Sequence, residues 1–197
     1  MKYNKSEKDS VDKTSQILKE GGIAIIPTDT VYGFSGIVDL ASNKNKYKTD
    51  YRIRAIKGRA ETKPLIQLIS KPNDIYLYTD DKIPESLLKK WPGALTIIVN
   101  CKKNSQLADE VATVAFRCPG DKWIRDVIEQ TGAPIYSTSV NRSGLPVIDE
   151  IKKIDEEFNK EVDLLINDGD KKGALPSTIV SICNGEIKVL RQGSVKI

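Results

Sequence analysis

The chain has 197 residues, of which 39% are hydrophobic and 29% charged, a balance ordinary for a globular protein. Its net charge of +4 is moderate, and no apolar run approaches the roughly 20 residues that span a bilayer. The complete lack of histidine excludes Ser-His-Asp and Cys-His chemistry, and three scattered cysteines form no zinc-binding pattern and are expected to be buried.

The charged N-terminus, MKYNKSEKDS, lacks the apolar stretch of a signal peptide, so a cytoplasmic protein is expected. The length fits one domain over residues 1–197, with residues 1–10 expected as a loose extension. A helix is predicted over Val11–Glu20, stopped by Gly21-Gly22. Ile23–Ile26 reads as a buried strand ended by Pro27, and Tyr32–Val38 as a second strand. A basic segment, about Asn45 to Lys57, is predicted helical and broken at Gly58. Pro64–Ser70 reads as a strand, and Asn73–Tyr78 and Pro84–Trp91 as short helices. Leu95–Asn100 and Ala112–Arg117 are rich in β-branched residues and resemble neighbouring strands. Helical apolar spacing over Asp121–Thr131 is followed by a strand at Pro134–Ser137 and a helix at about Ile148–Asn159. Strands are predicted near Leu164–Asn167, Thr178–Ile182 and Lys188–Arg191. This mixture implies one α/β sheet covered by helices.

Polar segments fall at the ends of these strands, where open α/β sheets place their ligands. They are Pro27–Gly33, Lys57-Gly-Arg59, Ser137–Asn141 and Ser177-Thr178. Their hydroxyls and cations bind and orient anions but are poor nucleophiles without an activating base. A lysine supplies a compact charge and an arginine a planar fork, the pair that suits phosphate oxygens. Ser137, Ser139 and Asn141 alternate, so an extended backbone aims all three at one side. Taken singly, Lys57-Gly-Arg59 reads more readily as solvated surface and Ser137–Asn141 as a capped turn. Neither GxxxxGK[ST] nor GxGxxG is present, so a nucleotide would be held in another way.

In order, Pro27–Gly33, Lys57-Gly-Arg59, Trp91–Thr96, Val114–Arg117, Ser139-Val-Asn141 and Ser177-Thr178 resemble the YrdC/TsaC family of L-threonylcarbamoyladenylate synthases. The resemblance runs from Gly21-Gly22 to Arg191-Gln192-Gly193. It implies a single-domain twisted mixed β-sheet flanked by helices, with a concave positive surface. The implied reaction joins L-threonine, bicarbonate or CO₂, and ATP into threonylcarbamoyl-AMP and pyrophosphate, with Mg²⁺ bridging phosphate oxygens. A threonylcarbamoyl transferase acting on tRNA is the implied partner. By the same resemblance Lys57 and Arg59 are catalytic, and with Lys63, Thr113, Ser139, Asn141, Val147 and Arg191 they bind ATP. Thr30, Arg117, Ser137 and Ser177 match positions around threonine, and no residue matches a protein-held metal site. Phe34, Ala94, Val140 and Gln192 depart from the usual pattern, and Leu68 stands where some members have histidine.

Two other readings stay open. The basic stretch Lys44–Lys63 suits a non-catalytic module that holds tRNA or double-stranded RNA, although only Tyr47 and Tyr51 could stack on bases. A related enzyme could instead adenylate plain carbamoyl groups. The segment from Asn167 to Ser177 is a candidate lid.

Overall fold

A computed structural model describes residues 1–44, 46–58, 64–109, 111–183 and 185–197. Ten strands form one mixed sheet: β1 (Lys2–Asn4), β2 (Ala24–Ile26), β3 (Gly33–Ser35), β4 (Ile66–Leu68), β5 (Leu95–Asn100), β6 (Thr113–Arg117), β7 (Ile135–Ser139), β8 (Leu164–Asn167), β9 (Thr178–Ser181) and β10 (Lys188–Arg191). Their order is β1-β8-β2-β3-β7-β4-β6-β5-β9-β10. The helices are α1 (Ser10–Lys19), α2 (Thr49–Ile56), α3 (Glu85–Leu88), α4 (Lys122–Thr131) and α5 (Ile151–Phe158), with a 3₁₀ turn at Pro72–Leu77.

Residues 2–4 are not a loose extension. They pair in parallel with β8, Lys2 opposite Leu165 and Asn4 opposite Asn167, which satisfies backbone groups on that edge. The basic helix also starts later than its composition suggests. Lys48 has φ +48, and the Tyr47 and Lys48 amides donate to the Asp39 carboxylate. That left-handed residue and those side-chain acceptors stop the helix from extending back to residue 46.

The pleat places alternate residues on opposite faces. Ile66, Ala115 and Ser137 lie in one cross-strand row, and Gln67, Phe116 and Tyr136 in the next. The first face is covered at one end by α1 and α4, which pack Leu18, Ile124, Val127 and Ile128 over Leu68 and Ile135. Helix α4 has this apolar stripe because those residues recur at helical spacing. Its ends are fixed by Asp121, which accepts the Trp123 amide at 2.9 Å, and by Gly132 at φ +76. Each fully buried Ile or Val contributes about 1.5–3 kcal/mol. The opposite face packs Val114 and Phe116 with Ile97, Val99 and Tyr78. A third cluster joins Tyr32 and Phe34 to α5 through Ile154 and Phe158, with the Phe34 and Phe158 rings edge-to-face at 5.0 Å. Beyond the end of α4's cover, the Ile66–Ser137 part of the first face is left as the floor of a cavity.

Candidate active site

The cavity, of about 260 Å³, is lined by Thr28, Thr30, Tyr32, Ile66, Arg117, Ser137, Ser139, Ser177 and Arg191 among others. Its residues come from the β2–β3 loop, the start of β4 and the residues before it, the end of β6, β7, and the β8–β9 loop with β9 and β10. Gly33 makes room for it: a Cβ there would sit 2.7 Å from the Ser137 Oγ.

Arg117 sets the electrostatics. It is 5% exposed, and its guanidinium is fixed by three bonds. Nε donates to the Gly93 carbonyl at 3.1 Å, Nη1 to the Thr30 hydroxyl at 2.8 Å and Nη2 to Asp29 at 2.6 Å. The other Asp29 oxygen accepts the Gly120 amide at 2.9 Å. Thr30 is itself braced by Thr28, whose hydroxyl lies 2.9 Å away and accepts the Thr30 amide.

Arg191 enters from β10, donating to the Ser177 carbonyl at 2.9 and 3.0 Å and to its hydroxyl at 3.1 Å. Ser177, 2% exposed, also shares a 2.8 Å hydrogen bond with Thr96. Burial, and then repulsion from Arg117, pull Arg191 below the ordinary arginine range. Two guanidiniums that repel across one hydroxyl-lined cavity make it a receptor for an anionic group.

Lys57 stands apart from solvent at 3% exposure. Its ammonium donates to the Ser139 carbonyl, to the Asn141 carbonyl at 3.0 Å and to Asn141 Oδ1 at 2.9 Å. It also lies 5.5 Å from the Phe34 ring centroid. Gly58, which follows it, has φ +64, a conformation that favours glycine. Asn141 is a loop organiser: Oδ1 accepts from Ser139 at 2.7 Å, and Nδ2 donates to the Arg142 and Leu145 carbonyls.

The structure therefore gathers Thr30, Arg117, Ser137, Ser139, Ser177 and Arg191 around one cavity, with Lys57 and Asn141 behind its β7 wall. Val147 is 42% exposed in the loop after Asn141, and Thr113 lines a different cavity. Arg59 and Lys63 lie outside the described residues. Thr28, Asp29 and Thr96 are given no individual role by the sequence pattern, although Thr28 and Asp29 sit inside the Pro27–Gly33 motif and Thr96 ends the Trp91–Thr96 motif. The basic stretch is not one solvated face: Arg52 donates to the Gly21 carbonyl, Arg54 neighbours Asp50, and Lys57 is buried. Of the cysteines Cys118 is buried, its thiol pushed up to about 12 by burial, whereas Cys101 and Cys183 are only partly covered.

Among the described residues no three His, Cys, Asp or Glu side chains cluster as metal ligands. The carboxylate beside the cavity, Asp29, is already committed to Arg117 and Gly120. The described residues thus do not fit a protein-held Mg²⁺. No described helix is long and apolar enough to cross a membrane.

The chain is similar along most of its length to several known proteins. A Methanocaldococcus jannaschii relative is 34% identical over 181 residues, 90% of this chain and 82% of that one. The threonylcarbamoyl-AMP synthase of Pseudoalteromonas translucida is 26% identical over 92% of this chain and 98% of its own length. The Bacillus subtilis threonylcarbamoyl-AMP synthase is 27% identical, and this chain spans about half of it, 54%. Pyrococcus abyssi Sua5, solved in complex with L-threonine, superposes with a TM-score of 0.82 at 25% identity, over 99% of this chain and 57% of that one. The model of the Sua5/YciO/YrdC family, described as "Telomere recombination", matches residues 16–193. With the family model matching residues 16–193, most of its length, the chain belongs to the Sua5/YciO/YrdC family.

Proposed function

We propose that this protein is an L-threonylcarbamoyladenylate synthase, a nucleotidyltransferase that joins L-threonine, bicarbonate or CO₂, and ATP. The observation that carries the reading is Arg117, buried and braced beside the hydroxyls of Thr30, Ser137 and Ser177. A guanidinium suits a carboxylate, and the surrounding hydroxyls suit the amino and hydroxyl groups of threonine.

The chemistry needs no protein nucleophile. The threonine amine adds CO₂ and loses a proton to give a carbamate, whose oxygen attacks the α-phosphorus of ATP. The bond from that phosphorus to the bridging oxygen breaks, and pyrophosphate leaves. Catalysis then rests on positioning and on stabilising developing charge. Arg191, beside Ser177, supports the negative charge of the triphosphate end. Ser139 and Asn141 orient the nucleotide, while Thr113 and Val147, outside that cavity, are carried to ATP by the family resemblance alone. Lys57 acts by holding the Ser139–Asn141 loop and by placing its charge behind it. Arg59 and Lys63 are assigned to the phosphates. Mg²⁺ would come with ATP rather than be held by the described residues, and would supply neutralisation of phosphate charge. The product passes to a transferase that modifies tRNA, in the cytoplasm, and tRNA contact by this chain is a further part of the proposal.

The test is incubation with ATP, Mg²⁺, bicarbonate and labelled threonine, with detection of the mixed anhydride and pyrophosphate. Loss of product on omitting either threonine or bicarbonate is expected. Turnover with carbamoyl phosphate in place of threonine would instead mark a carbamoyl-adenylating enzyme. Stabilisation by tRNA alone, with no turnover, would mark an RNA-holding module.

A further inference from the structure

Thr28 and Thr30, in the loop between β2 and β3, are both buried and both line the cavity. Each hydroxyl carries one proton. Thr28 Oγ1 lies 2.8 Å from the Val31 carbonyl, which can only accept, so the Thr28 proton is spent there. Its oxygen also accepts the Thr30 amide at 3.0 Å. The 2.9 Å contact between the two hydroxyls therefore forms beside these bonds only with Thr30 as its donor. That spends the Thr30 proton as well, and Arg117 Nη1 donates to the same Thr30 oxygen at 2.8 Å. What Thr30 has left for a ligand is a lone pair.

We propose that Thr28 is a positioning residue that fixes Thr30 as a hydrogen-bond acceptor, so the group Thr30 meets in the cavity must bring a proton. Resting on the threonine-binding reading above, this assigns to Thr30 the amine or the side-chain hydroxyl of threonine and denies it the carboxylate. A carboxylate oxygen there would face a lone pair with no proton between them, a contact that buried sites avoid. The anion has donors elsewhere. Of the five guanidinium N–H groups of Arg117, three are spent on Gly93, Thr30 and Asp29, and two remain. The Thr28 hydroxyl, with two donors on its oxygen and its proton committed, has nothing left for a ligand and acts only through Thr30.

Thr28→Val keeps the shape of the side chain and frees the Thr30 proton to turn into the cavity. Binding of L-threonine, L-2-aminobutyrate and L-threoninol to the full chain is followed by NMR titration without ATP, and ATP binding is measured separately. Thr28→Val should weaken threonine and threoninol each about tenfold and leave ATP unchanged. Thr28→Ser, which keeps the hydroxyl, should restore threonine affinity to within about twofold of wild type. An equal loss with 2-aminobutyrate assigns the proton to the amine, and no loss there assigns it to the side-chain hydroxyl. A loss seen with threonine but absent with threoninol would place the carboxylate at Thr30 and overturn the proposal. Unchanged threonine affinity, a parallel loss of ATP affinity, or no rescue by Thr28→Ser would overturn it as well. Should Thr28→Val fail to fold, the ligand-free wild-type chain with labelled threonines decides. Slowly exchanging hydroxyl protons at both Thr28 and Thr30 are expected, and a rapidly exchanging Thr30 proton would overturn the proposal. None of these readouts involves adenylation, so their failure is distinct from failure of the wild-type chain to form product, which would sink the synthase reading.

Discussion

Arg117 and Asp29 are 88 positions apart in sequence, yet Nη2 and Oδ1 meet at 2.6 Å beside the cavity floor. Asp29 is not placed to touch substrate through that oxygen; it fixes the plane of the guanidinium. Asp29→Asn keeps the side chain's shape but weakens the charge-assisted bond. The expected result is a threonine KM raised about tenfold with ATP KM changed little, since about 1.4 kcal/mol of threonine binding is lost. Steady-state kinetics with each substrate varied will show it, and Asp29→Glu should restore part of the loss. Equal effects on both substrates would count against a role confined to Arg117.

The ammonium of Lys57 organises the Ser139–Asn141 loop through three protein acceptors. Lys57→Ala would leave buried carbonyls unpaired, so a stability loss of about 1–3 kcal/mol is expected together with a fall in activity of about 100-fold. An exposed phosphate-binding lysine would lose activity with an unchanged melting temperature. Denaturant unfolding measured beside pyrophosphate release separates the two.

Gly33 lies across β3 and β7 from Ser139, and a Cβ at its position would meet the Ser137 Oγ at 2.7 Å. Gly33→Ala should lower stability by about 1–3 kcal/mol through overpacking and raise threonine KM by displacing Ser137. The double variant Gly33→Ala/Ser137→Ala should recover thermal stability but not the KM. Full recovery of both would remove Ser137 from the proposed site.

Acid should loosen the N-terminal edge. Burial raises the Asp168 carboxyl, but hydrogen bonds from Lys171 and Lys5 outweigh it and hold the group below its ordinary range. A depressed carboxylate contributes stability that is present above the unfolded pKa, about 4, and lost as pH falls through the folded one. Melting temperature should therefore drop below about pH 4, and Asp168→Asn should remove that component while lowering stability at pH 7. A pH profile of the variant parallel to wild type would show that Asp168 contributes none of it.

Tyr32 fixes the start of the candidate lid: its hydroxyl accepts the Asp168 amide and donates to the Gly169 carbonyl, both at 2.8 Å. Tyr32→Phe removes both bonds from a side chain that is otherwise buried. Faster amide exchange at residues 168–169 is the expected outcome, with other strands unaffected. Unchanged exchange there would show that the loop is held by its other contacts, such as Lys171 with Asp168.

The sequence by itself determined the alternation of strands and helices, because apolar periodicity and turn residues act over a few positions. Helix α4 and strands β5 and β8 appear where Ile124-Val127-Ile128, the β-branched run Thr96–Val99 and Leu164–Ile166 place them. The strand-end motifs and the missing histidines likewise pointed to an anion-orienting site. Tertiary structure decided the rest. The order β3-β7-β4-β6 joins segments far apart in the chain, and no local pattern encodes it. It turned Lys57 inward onto Asn141, 84 positions away, and braced Arg117 with Asp29. It also separated Thr113 from the cavity that holds Arg191. Side-chain partnerships of this range depend on which loops the sheet brings together, so they become legible only in the folded chain.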